Sequence, residues 1–235
     1  MATRTGIDQD ALIEMFASAG AKQAEALREA VSTSTLRALQ SRELTLANIR
    51  SVLKTVTQAA SAGAAQNGGR PADVEALLSN AFEGMDDALL QTVEANRRAL
   101  QQFVDQGMGL QQGPMQSALA NLEKLEDTFF ATVSKAAQAA GGPLQGPWTQ
   151  VLDAMKLKGS HTGAQAATTV EELMAQTQTA LREGRAMSLR TGQALLDSYA
   201  ALVSGVLIGM SQGLQQGGSK PAAESRSSSS TRSKR

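Results

Sequence analysis

The chain has 235 residues, with 22 basic and 22 acidic side chains, one histidine and no cysteine. The lack of cysteine excludes disulfides, iron–sulfur clusters, thiolate zinc sites and cysteine nucleophiles. Aromatic residues make up 3% of the chain and hydrophobic residues 42%, a composition that suits helices with thin apolar faces better than a deep aromatic core.

Residues 1–8 lack a basic stretch followed by an apolar one, so no secretory signal is expected. Residues 8–40 read as the first helical run. Asp8 or Asp10 can accept hydrogen bonds from the first free amides, and Leu12, Phe16, Ala19, Leu27 and Val31 mark one face. After Ser41, a possible cap, Leu46, Ile49, Leu53, Val56 and Ala60 fall at alternating steps of three and four, the period of a helical seam. GAAQNGGR at 63–70 ends that helix, and Pro71 suits the first turn of the next, where its missing N–H costs nothing.

Over residues 71–106, Val74, Leu78, Ala81, Met85, Leu89, Val93, Leu100, Phe103 and Val104 stay near one side, which predicts one long amphipathic helix. Gly107, Gly109, Gly113 and Pro114 interrupt it. A further helix starts near Met115 and runs through Leu119, Leu122, Leu125, Phe129 and Val133 until GGPLQGP at 141–147. Trp148, Val151, Leu152 and Met155 form a short apolar stripe. Residues 156–163 read as a loop, and a last helix spans 165–216 with kinks near Gly184 and Gly192. With no run of β-alternation, the expected fold is all-α: long amphipathic helices in an extended bundle, divided into residues 1–62, 71–140 and 147–217, then a tail at 218–235.

The chemistry-bearing residues are sparse. His161 lies in KGSHTG and reads as an exposed loop histidine, since catalysis would require a nucleophile or carboxylate beside it. Lys158 stands three residues before it, so the Glu-x-x-His pairs of a di-iron bundle cannot be built. The acidic pairs Asp86 and Asp87, Glu126 and Asp127, and Glu171 and Glu172 diverge by about 100° around a helix, which suits solvated faces or helix starts. GMGLQQG at 107–113 has the wrong spacing for a dinucleotide loop, and no phosphate-binding loop, serine elbow or zinc-ligand pair occurs. The expectation is a non-enzyme without cofactor or metal. VEALL at Val74 against VEELM at Val170, and LQQG at Leu110 against Leu214, hint at duplication.

In YAALVSGVLIGMSQGLQQG at 199–217, Gly205, Gly209, Gly213 and Gly217 recur every four residues and leave a groove in which another helix can approach closely. The stretch reads first as a buried helix–helix contact, then as an interfacial apolar patch and last as a membrane span, because its apolar part, 200–210, falls short of the roughly 20 residues that a span needs. The tail, GSKPAAESRSSSSTRSKR, holds Lys220, Arg226, Arg232, Lys234 and Arg235 against Glu224, so residues 1–217 carry four acidic groups in excess. Its serine-rich composition predicts disorder. Its cations are able to meet nucleic-acid or anionic-lipid phosphates without sequence readout, or they serve solubility alone.

The stretch VEALLSNAFEGMDDALLQTVEANRRALQQFV at 74–104 resembles the helical region of bacterial phasins, proteins that coat polyhydroxyalkanoate storage granules. The likeness is carried by the VEALL start, the AFEG step at Ala81 to Gly84, the Leu-rich continuation and EANRRAL. It implies a non-enzymatic coat protein on cytoplasmic granules, with Leu78, Phe82, Met85, Leu89, Leu100 and Phe103 meeting the hydrophobic surface and charged faces turned to water. The alternative is a cytoplasmic helical scaffold that self-associates and uses its tail on nucleic acid or anionic lipid.

Overall fold

A computed structural model describes residues 7–20, 23–42, 44–68, 71–106 and 113–182. Among these residues there are eight α-helices, one short 3-10 turn and no strand, so the fold is all-α as the periodicity predicts. They are α1 (Gln9–Ser18), α2 (Ala24–Gln40), α3 (Leu46–Gln66), α4 (Pro71–Asp105), α5 (Gly113–Glu123), α6 (Leu125–Ala140), α7 (Gln145–Lys158) and α8 (His161–Arg182).

Local chemistry sets several boundaries. Asp8 caps α1 by accepting a hydrogen bond from the Ala11 amide at 3.1 Å. The first predicted helix is in fact two, because the chain turns extended at Ala19 and restarts at Ala24. Ser41 closes α2 and does not open α3; the cap of α3 is Thr45, whose hydroxyl accepts from the Asn48 amide at 3.2 Å. α3 runs through Gly63 to Gln66 before it ends. Pro71 stands at the first position of α4, as expected. The helix predicted from Met115 is divided at Lys124 into α5 and α6. The predicted 156–163 loop shrinks to two residues, since α7 continues to Lys158 and α8 begins at His161. Gly159, at φ 77°, makes that reversal in a region that L side chains disfavour.

α4 is the central post, packed against α2, α3, α7 and α8, while α1 and α6 lie on α3. One continuous core joins residues from all three predicted helical segments, from Phe16 and Leu53 through Phe82 and Leu100 to Trp148 and Leu173. Phe82 of α4 stacks on Phe129 of α6 with ring centroids 4.5 Å apart and planes inclined by 29°, within the distance range of aromatic pairs. Helices also approach closely without side chains between them. A Cβ built on Gly84 of α4 would lie 2.6 Å from the Arg28 carbonyl oxygen and 2.9 Å from Val31 Cβ on α2. The glycine of the AFEG step thus serves contact between helices of this chain.

Polar links cross the same interfaces. Arg28 of α2 grips Asp87 in a fork, donating from Nε at 2.6 Å and from Nη2 at 2.9 Å, and reaches Glu83 at 3.1 Å through Nη1. The Asp87 hydrogen bond, aided by both carboxylate charges, pushes the guanidinium's proton affinity above its ordinary value. Asn67, just past α3, donates through Nδ2 to the carbonyls of Phe16, Ala17 and Ala19, three acceptors that the end of α1 leaves free. The indole of Trp148 on α7 donates to Ser61 Oγ on α3 at 3.0 Å, and that hydroxyl donates to the Thr57 carbonyl.

Candidate functional site

The six side chains expected on a hydrophobic surface, Leu78, Phe82, Met85, Leu89, Leu100 and Phe103, are all buried in the bundle core. In the closed bundle α2, α3, α6, α7 and α8 cover α4, so those side chains pack inside the chain. Among the described residues the large apolar side chains left exposed are Leu157, at 92%, and Met174, at 44%. The helix-packing glycines Gly205, Gly209, Gly213 and Gly217, and the tail cations Lys220, Arg226, Arg232, Lys234 and Arg235, lie outside the described residues.

The most elaborate polar cluster forms where α8 begins. Asp86, only 6% exposed on α4, accepts from the His161 amide at 2.8 Å through Oδ2 and from the Thr162 amide at 3.1 Å through Oδ1. Thr162 Oγ1 donates to the Asp86 backbone carbonyl at 2.9 Å. On the other side, Glu126 of α6 accepts from the Ser160 hydroxyl at 2.7 Å and from the Ser160 amide at 3.2 Å. Ser160 Oγ in turn accepts from the Gly163 amide at 2.9 Å, the geometry of a helix cap. Two carboxylates therefore face the positive end of the α8 dipole, a favourable placement for negative charge. Gly163 leaves the room that Glu126 occupies, because a Cβ there would overlap the carboxylate.

Sequence reasoning assigns Asp86 and Glu126, with their neighbours, to solvated faces or helix starts, and Glu126 does stand in the first turn of α6. The structure separates each pair: Asp86 turns inward while Asp87 meets Arg28, and Glu126 meets Ser160 while Asp127 stays exposed. His161 is not a loop residue but the first residue of α8. Its side chain is 58% exposed, with Nδ1 3.8 Å from Asp86 Oδ2. The hydroxyl of Ser160 is directed at Glu126 and not at the imidazole, so the cluster's hydrogen bonds serve to dock α8 on α4 and α6. Among the described residues no group of three or more His, Asp or Glu is gathered as a metal site.

Among the described residues a broad furrow of about 810 Å³ lies between α3 and α6. Arg50 and Lys54 of α3, and Lys124 and Lys135 of α6 and the turn before it, are exposed along it, and Ala131 and buried Ala136 complete the α6 side. No sequence pattern marked it, because its two walls are 70 residues or more apart in the chain.

A family model described as a family of unknown function, DUF6781, matches residues 2–216. The chain belongs to the DUF6781 family. The match to DUF6781 ends just before the serine-rich basic tail, so the division between body and tail seen in the composition coincides with the limit of the family match. No curated protein and no solved structure matches the chain.

Proposed function

We propose that this DUF6781 protein is a non-enzymatic coat protein that binds a hydrophobic surface by opening its helical bundle, and that the surface is the polyhydroxyalkanoate granule of the cytoplasm. The observation that carries the reading is α4, one unbroken amphipathic helix of 35 residues that contains the whole phasin-like stretch. Its apolar side chains exchange one apolar environment, the core, for another, the polymer. The cost of opening then falls on the polar links, namely Arg28 with Asp87, Asn67 with the end of α1, and Asp86 and Glu126 with α8.

A second reading, a closed helical scaffold whose tail engages nucleic acid or anionic lipid, is favoured by the complete burial of the same six side chains. One experiment separates the two. The chain has no cysteine, so a cysteine pair introduced across the α2–α4 contact is the sole disulfide it can form. Granule association that is abolished in the oxidised protein and restored by reductant supports the opening mechanism. Equal association in both forms rules it out, and a tagged protein that stays diffuse in polymer-forming bacteria rules out the granule itself.

A further inference from the structure

α3 and α6 run in the same direction. Leu46 and Ile49, at the start of α3, share a pocket with Leu125, the first residue of α6, and Trp148, beyond the end of α6, bonds Ser61 near the end of α3. The furrow between them is lined by four cations, Arg50, Lys54, Lys124 and Lys135, and one carboxylate, Asp127. Among the described residues none of the four cations takes part in an ion pair, whereas Arg28 and Arg97 do. Unpaired like charges on facing walls repel one another and do nothing to hold the two helices together. They stand on a body that is acidic over residues 1–217, so this basic strip runs against the overall charge and will draw anions to itself.

A pocket with a mainly aliphatic lining adjoins it. At the Leu46 end the seam opens into a pocket of about 230 Å³ whose apolar lining is Leu44, Leu46, Ile49, Val93, Leu122 and Leu125, with Ala118, and whose polar lining is Thr45, Thr92, Asn96, Ser117 and Asn121. Leu46 lines both the pocket and the furrow, and at the boundary the sequence neighbours Ile49 and Arg50, and Leu125 and Lys124, point apolar groups to one side and cations to the other. We propose that this composite site binds an anionic single-chain amphiphile, with its acyl chain in the pocket and its carboxylate or phosphate headgroup between Arg50 and Lys124. An apolar slot alone would accept a neutral chain, and a basic strip alone would accept any polyanion. Their junction at Leu46 selects a molecule that carries both features at adjacent ends. Val93 of α4 is part of the pocket wall, so the site belongs to the closed bundle and is tested on the free protein.

Isothermal titration of the full chain with dodecanoate and with dodecyl phosphate, each below its micelle concentration, tests the site. Saturable 1:1 binding of either probe is expected, and which probe binds identifies the headgroup. Arg50→Glu with Lys124→Glu should weaken it at least tenfold. Lys156→Glu with Lys158→Glu, an equal charge change on α7, should leave it within twofold. Ala118→Leu fills the pocket without adding charge and should also weaken binding at least tenfold, with circular dichroism confirming that each variant stays helical. Absence of saturable binding, equal affinity in the furrow and α7 variants, or equal binding of monomeric dodecyl maltoside would overturn the proposal.

Discussion

Replacing Asp86 with alanine removes the carboxylate that holds the first turn of α8, and the structure sets the size of the loss. Two backbone amides lose a charged acceptor, at 2.8 Å for His161 and 3.1 Å for Thr162. They do not lose it equally. His161 sits at the surface, where water can replace the carboxylate, but Thr162 is 0% exposed and its amide would stay buried without a partner. An orphaned buried donor costs about 1–3 kcal/mol, and loss of a helix cap about 0.5–2 kcal/mol, so a destabilisation of about 2–4 kcal/mol is expected. For a chain of this size that lowers the melting temperature by roughly 5–15 °C. Asp86→Asn is no neutral substitute. Its amide NH₂ would face one of the two donors, and it should recover half of the loss at most. Calorimetry gives the total, and hydrogen exchange at the amides of residues 161–163 locates it. An unchanged melting temperature with unchanged protection of the Thr162 amide would refute the role assigned to Asp86.

Gly84→Ala gains helix propensity of about 1 kcal/mol but forces a Cβ to within 2.6 Å of the Arg28 carbonyl. Overpacking of about 1–3 kcal/mol outweighs the gain, so the urea midpoint should fall; a rise would show that α2 yields freely. Asn67→Ala should cost about 1–2 kcal/mol, because the carbonyls of Phe16, Ala17 and Ala19 lose their shared donor, and the loss should appear first as faster exchange in α1. Leu89→Asp with Phe103→Asp should abolish the cooperative unfolding transition, since both side chains are at most 1% exposed. A folded double mutant would contradict the core described above.

Periodicity made the helices legible because a residue's place on a helix face depends on its immediate neighbours. The seam from Ile49 to Ala60 and the long apolar side of α4 needed nothing beyond the spacing of side chains, and Asp8 and Pro71 announced their helix starts by short-range hydrogen-bond and backbone chemistry. Boundaries that depend on distant partners were misread. Ser160 and His161 look like loop residues until Asp86 and Glu126, from two other helices, supply acceptors for the amides that a helix start leaves bare. The destination of the apolar faces was equally closed to the sequence, because Leu89 and Phe103 carry the same pattern whether they cover a polymer or a core. Only the packing of α2, α3, α7 and α8 around α4 decides that they are buried, and only the parallel course of α3 and α6 sets Arg50 and Lys124 on the walls of one furrow beside the pocket at Leu46. A sequence specifies which side of a helix is apolar; what that side meets is settled by chain segments tens of residues away, through burial, close approach and the pairing of polar groups that burial strips of water.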